Sequence, residues 1–343
     1  MNGINVRGLT KSYRGQKVVD DLTFDVRPGT VTGFLGPNGA GKTTTMRMLV
    51  GLVRPDAGTA LLAGRPYHHH PAPLRAVGAL LDPGWAHPQR AARAHLDWLA
   101  RSNGLPKDRV DAVLLMVGLS TAGDRRIGAL SLGMRQRLGI AAAMLGNPEV
   151  LILDEPANGL DPQGIAWLRG LLRDLAADGR TVLVSSHLLA ETALLADNLV
   201  IIGRGRLLQQ CTTAEFTSLQ QTHVLVRAKD QERLATVIAE AGGTIDADPG
   251  PRPVDPDIRL VSGLSAEEIA HAALQAGLVL HELTPRRRTV EEEYLRLTAD
   301  SVEHHSRPPA GRPEKSPEQW IPQSFMQNSS NCARSVPPGG SSE

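Results

Sequence analysis

The sequence predicts an α/β fold, a mixed core sheet with helices, followed by a small α+β domain of ferredoxin-like type. Up to about residue 210, short β-branched runs alternate with helical stretches, as where helices pack on a mostly parallel sheet. One of those runs ends in a glycine-rich loop, "GPNGAGKTTT" at residues 36–45. Over residues 222–298 a second unit follows in the order β-α-β-β-α-β, the split βαβ arrangement.

Taken in order, "VTGFLG" (31–36), "VLILD" (150–154), "TVLVSS" (181–186) and "NLVIIG" (198–203) read as buried strands, because near-continuous apolar runs suit strands covered on both faces. In the second unit "HVLVRA", "GTIDAD", "IRLVS" and "LVLHEL" read as strands, with helices over 229–241 and 265–276 and a closing helix from Val290. Capping boxes are expected at Ser265 with Glu268 and at Thr289 with Glu292, where side chain and backbone exchange hydrogen bonds in the first turn. The remainder is rich in Pro, Ser, Gly, Asn and Gln and cannot bury enough apolar surface to order itself. The expected domains are thus 1–210, 211–299 and a disordered tail over 300–343.

Composition narrows the partners. Lys and Arg (37) nearly balance Asp and Glu (36), which removes the electrostatic case for nucleic-acid binding or a polybasic membrane anchor. The two cysteines, Cys211 and Cys332, have neither disulfide-framework nor zinc-ligand spacing, so a reducing cytoplasm is the default. The apolar run "LGIAAAMLGNPEVLIL" is broken by Asn147, Pro148 and Glu149, well short of the ~20 residues of a spanning helix. The amino terminus has no apolar leader segment. Membrane association is therefore expected only through a protein contact.

The loop carries the clearest chemistry. Gly36, four residues, then Gly41-Lys42-Thr43 follow a strand and lead into a helix, the context a phosphate-binding loop requires. Gly36, Gly39 and Gly41 let the backbone of Pro37, Asn38, Ala40 and Thr44 curl so that N–H groups face phosphate oxygens at a helix amino end. Lys42 would neutralise the β and γ phosphates, and the Thr43 hydroxyl would ligate Mg²⁺. "VLILDEP" places Asp154 to hold Mg²⁺ through water and Glu155 to act as general base; a solvated acidic turn after an apolar strand is the plain alternative. His187 follows the strand "TVLVSS", placed to reach the γ-phosphate from a neighbouring strand end, where doubly wound sheets gather ligands, although a lone His there is more often an ordinary surface residue. "YHHH" at 67–70 reads as a solvated loop, since no second ligand cluster accompanies it.

"ALSLGMRQRLGIAAAML" at 129–145 resembles the signature of the ATP-binding cassette (ABC) ATPases through Leu130, Ser131, Gly133, Gln136 and Arg137. The order of the remaining motifs is similar too: Tyr13, the loop, the signature, "LILDEP", "ANGLDP" with Asp161, and "SSHLL" with His187. The resemblance covers residues 1 to about 210. It implies an ABC cassette with an antiparallel β subdomain and a helical subdomain, the latter over 83–127 plus the signature region. It also implies that ATP is the substrate, that Tyr13 stacks on adenine, and that Leu130, Ser131, Gly133 and Gln136 complete the site of another cassette in trans. Asp161 would couple the two sites. For Tyr13, the filling of an edge strand is the alternative.

The implied partners are a second copy or a homologous cassette and a separately encoded membrane permease, with the chain cytoplasmic and peripheral on the inner face of the membrane. Where many members have a glutamine, "VGALLDPGW" offers Asp82, whose carboxylate is a candidate Mg²⁺ ligand. The small αβ domain ending "TVEEEYLRLT" resembles the cassettes of bacterial drug and antibiotic exporters. A soluble ABC ATPase of translation or DNA maintenance is the alternative, disfavoured because the chain has one cassette and no long coiled coil.

Overall fold

Where the chain is apolar on successive residues it forms strands buried on both faces, and their side chains divide between two cores. Val31 and Leu35 join one cluster with Leu151, Leu153, Val182, Val184, Leu199 and Ile201; Phe34, Val150, Ile152, Leu183, Val200 and Ile202 join the other. That is the period-two alternation of a pleated strand. The computed structural model describes residues 3–287 apart from 83, 85, 219–221 and 246–256, together with Tyr294, Leu297 and Thr298. The chain divides into two units, Met1–Val302 and Glu303–Glu343, and all described residues belong to the first.

The first strands, β1 (Ile4–Tyr13), β2 (Gln16–Val26) and β4 (Ala57–Leu62), form an antiparallel sheet in the order β2-β1-β4. Between β2 and β4 lie β3 (Val31–Leu35) and α1 (Lys42–Leu49), joined by the glycine-rich loop. A short α2 (Pro73–Ala76) leads to β5 (Val77–Leu80). Next come α3 (Ala92–Ser102), α4 (Asp108–Met116) and α5 (Leu132–Met144), the expected helical subdomain. The chain then runs through β6 (Val150–Leu153), α6 (Pro162–Ala177), β7 (Thr181–Ser186), α7 (Leu189–Leu195), β8 (Asn198–Gly203), β9 (Arg206–Thr212) and α8 (Thr213–Ser218). Strands β5-β6-β7-β3-β8-β9 make a six-stranded sheet, parallel except where β9 pairs antiparallel to β8. This is the mixed sheet with helices that the sequence predicts. Its edge strand β9 continues to Thr212, and Phe216 of α8 joins the same core.

The small domain contains β10 (Thr222–Ala228), α9 (Gln231–Glu240), β11 (Thr244–Ile245), β12 (Ile258–Ser262), α10 (Ala266–Gln275) and β13 (Leu280–Arg287). Its strands lie in the order β11-β12-β10-β13, all antiparallel, which is the ferredoxin-like order. The Ser265 and Glu268 capping box is present. The second capping box, at Thr289, and the segment from 300 onward lie outside the described residues.

Candidate functional site

Parallel strands bring their carboxyl ends to one edge, so residues distant in sequence meet there. Register pairs Leu35 with Ser186 and Leu153 with Val184, which sets the glycine loop, Asp154, Glu155 and His187 on adjoining strand ends. The loop bends through Gly39 (φ 82) and Gly41 (φ 100) into α1. Pro37, Asn38, Gly39, Lys42, Thr43 and Glu155 line a cavity of about 280 Å³ there. Ala40 and Thr44 complete its wall, and Gly36 offers its carbonyl.

Lys42 is buried and its Nζ donates to the carbonyls of Gly36 (2.6 Å) and Pro37 (3.3 Å). Burial lowers its pKa, opposed by the negative charges of Glu155 and Asp154. A desolvated cation in a cradle of glycine backbone fits an anionic phosphate chain, which would supply the charge that burial denies it.

The acids are held as closely. The Thr43 hydroxyl donates to Asp154 Oδ2 at 2.6 Å, and the Ser185 hydroxyl donates to the other oxygen, Oδ1. Hydroxyl and carboxylate at one point form a hard oxygen set suited to Mg²⁺. Among the described residues no cluster of three His, Cys, Asp or Glu could hold a metal, so the ion would share its remaining ligands with phosphate and water. Glu155 Oε2 lies 2.9 Å from His187 Nδ1, and its Oε1 lies 3.9 Å from Lys42 Nζ. An ionised carboxylate only accepts hydrogen bonds, so the facing ring nitrogen carries the proton. Lys42, Glu155 and His187 therefore stand together.

Tyr13 is 46% exposed at the end of β1, with Lys11 Nζ over its ring, 5.6 Å from the centre. Asp82 lies beyond β5, beside β6, and its Oδ1 accepts from the Gly84 amide at 2.7 Å. Ser131 caps α5, its Oγ accepting from the Met134 amide at 3.2 Å. Leu130 is buried behind it, and Gly133 packs against Gly159 and Leu160. Asp161 caps α6 through the Gly164 amide at 2.7 Å. Gln136 is buried and its amide donates to the Glu155 carbonyl of the same chain at 3.2 Å. In the histidine run, His70 Nε2 lies 2.8 Å from the Leu62 carbonyl.

Two participants escaped the sequence reading. Ser185 is the penultimate residue of β7, just past its apolar run and two positions before His187, and that polarity was the available signal. Tyr294 is 8% exposed in the cassette's own core, with Leu297 packed on the same cluster; the (i, i+3) pair in "TVEEEYLRLT" was its signal. The Tyr294 hydroxyl is buried without a hydrogen-bond partner among the described residues. Burial first, and the charge of Glu155 second, raise its pKa to about 12.

The phenol thus stays neutral in the fold while an unfolded chain ionises near pH ~10. Its contribution to stability is complete below that pH and falls away as pH rises towards about 12. The difference in unfolding free energy between the wild type and Tyr294→Phe is expected to change across this window, the wild type losing more. Parallel pH curves from denaturant melts would show the assignment to be wrong.

Comparison with known proteins agrees with this geometry. A family model described as ABC transporter matches residues 19–158, and one described as a domain of unknown function matches 222–291. The chain is 40% identical over 240 residues to the bacitracin transport ATP-binding protein BcrA of Bacillus licheniformis, covering 69% of this chain and 78% of that protein. It is 34% identical to the daunorubicin resistance ATP-binding protein DrrA3 of Streptomyces coeruleorubidus, covering 87% and 96% respectively. Similarity to the Nod factor export ATP-binding protein I of Ralstonia nicotianae is 38%, covering 86% and 93%. A solved structure of an ATP binding subunit of an ABC transporter superposes with a TM-score of 0.58 at 28% identity, covering 63% of this chain and 92% of that one.

Proposed function

We propose, since this chain belongs to the ATP-binding subunits of ABC transporters, that it hydrolyses ATP to energise a separately encoded membrane permease exporting a drug or antibiotic. The observation that carries the reading is the meeting of Lys42, Thr43, Asp154, Glu155 and His187 on one sheet edge. Relatives named for bacitracin transport and daunorubicin resistance support the exporter class. No helix among the described residues is long and apolar enough to cross a membrane, which suits work through a permease.

In this mechanism the loop amides and Lys42 hold the phosphate chain, and Tyr13 stacks on the adenine. Thr43, with Asp154 through water, would hold Mg²⁺, which would screen the phosphate charge; Asp82 is the candidate for a further ligand. Glu155 takes a proton from a water whose oxygen attacks the γ-phosphorus, and the bond from that phosphorus to the β–γ bridging oxygen breaks. His187 holds the carboxylate in place during that step. Ser131 and the backbone of Gly133 at the amino end of α5, with Leu130 packed behind them, meet the γ-phosphate of a partner cassette. Closure of the pair, linked through Asp161, moves the helical subdomains and the permease with them.

Ser131→Arg introduces a bulky cation at that amino end. It is expected to abolish ATP-driven dimerisation while ATP binding to the monomer stays within about threefold, since the loop is untouched. Size-exclusion chromatography with and without ATP reads the first, and equilibrium titration the second. Unchanged dimerisation removes the shared site. Copurification from native membranes tests the transport reading, and recovery with ribosomes would favour the translation alternative.

A further inference from the structure

Glu155 has a left-handed backbone, φ 49, a conformation that non-glycine residues hold only when surrounding contacts enforce it. Both of its peptide groups are gripped. Its amide donates to Ser185 Oγ at 2.9 Å, and Ser185 is fully buried and bonded onward to Asp154. Its carbonyl accepts from the Asn158 amide and from Gln136 Nε2, each at 3.2 Å. The Ser185 contact ties Glu155 to the sheet, whereas the Gln136 contact ties it to α5.

Helix α5 has an exposed cap, a first turn resting on Gly159 and Leu160, and a braced body. Ser131 at its cap is exposed and Leu132 is 49% exposed. Farther along, Arg137 donates to the Val117 carbonyl at 3.2 Å and its guanidinium lies 4.3 Å from the centre of the Trp167 ring on α6. Gln136 stands five residues beyond the cap, about 7 Å along the axis at the helical rise. A small displacement of the α5 amino end is therefore delivered to the Glu155 carbonyl with little slack, because a helix moves as a rigid rod over so short a span.

We propose that Gln136 is a positioning residue that links α5 to the catalytic carboxylate of its own chain. Seating the amino end of α5 on a partner's nucleotide then sets the direction in which Glu155 faces the attacking water. This rests on the reading that α5 meets the partner's nucleotide, and it gives Gln136 a role in cis where the family resemblance implies one in trans. Occupancy of one site of the pair thereby governs the base of the other.

The test uses the full chain with Mg²⁺ and ATP. Gln136→Met keeps length and volume in a buried position but has no donor. Loss of one buried hydrogen bond at the base corresponds to about a tenfold drop in turnover, with KM for ATP within about twofold. Because binding persists while hydrolysis stalls, ATP-bound dimer is expected to accumulate on size-exclusion with Glu155 intact, a gain that a partly unfolded variant would not produce. Gln136→Glu, which sets an acceptor against the carbonyl, is expected to do the same. Unchanged turnover overturns the proposal, and so does slowed turnover with a raised KM and no dimer, the pattern of a direct ATP ligand. Should the wild type itself neither hydrolyse ATP nor dimerise with it, the transport-ATPase reading fails instead, and the two failures are thus distinguished.

Discussion

Replacing Glu155 with glutamine is expected to lower steady-state ATP hydrolysis by about 10²–10⁴-fold, the usual worth of a general base, and to leave a stable ATP-bound dimer. The isosteric amide still offers an oxygen to His187 Nδ1, now 2.9 Å from Oε2, so the loop and its neighbours keep their places. It cannot take the proton of the attacking water, so binding proceeds and the chemical step does not. It also removes the negative charge beside Lys42, 3.9 Å away, which favours tighter retention of the nucleotide's own charge. Phosphate release measured beside size-exclusion in ATP separates the two effects. Hydrolysis at the wild-type rate would take Glu155 out of the role of base.

Gly41→Ala is expected to abolish nucleotide binding, with a loss of affinity of at least about a hundredfold. At φ 100 a Cβ would stand 2.7 Å from the Val18 carbonyl oxygen, which is backbone and cannot swing aside. The loop must open, and its amides leave the positions from which they face phosphate. Gly179→Ala provides the control, for Gly179 has φ 85 but nothing within 4 Å of its added Cβ. Each variant carries the backbone penalty of about 1 kcal/mol for a left-handed alanine, so denaturant melts should place both slightly below the wild type. Only Gly41→Ala should fail in equilibrium ATP titration. Normal binding by it would mean that the loop tolerates the clash without losing its cradle.

Much of this was legible because the chemistry is locally encoded. Lys42 and Thr43 follow Gly41 directly, and Asp154 and Glu155 end one apolar strand, so short spacing alone puts donor and acid at strand ends. The core strands were legible because residues buried on both faces must be apolar at every position. Strand β9 was not, since "RLLQQCT" lies at a sheet edge with mostly exposed or half-buried side chains, and an edge strand needs no such run. The strand itself runs from Arg206 to Thr212. The Gln136 to Glu155 bond joins residues 19 apart on different elements, and it depends on how α5 lies against β6. Side-chain polarity at Ser185 was visible, but its partners follow from the β6 and β7 register, which no local pattern states.

The burial of Tyr294 among the residues of β7, β8 and α6 bears on how such proteins can be recombined. A ferredoxin-like appendage joined by a hinge could be exchanged between cassettes as a cartridge. Here Tyr294, beyond the appendage's last strand, lies in the cassette's own interior, while the appendage keeps a separate core of its own. A chimera spliced after β13 would leave a hole the size of a tyrosine in the cassette core. The natural unit of exchange is the cassette, the appendage and the segment bearing Tyr294 together.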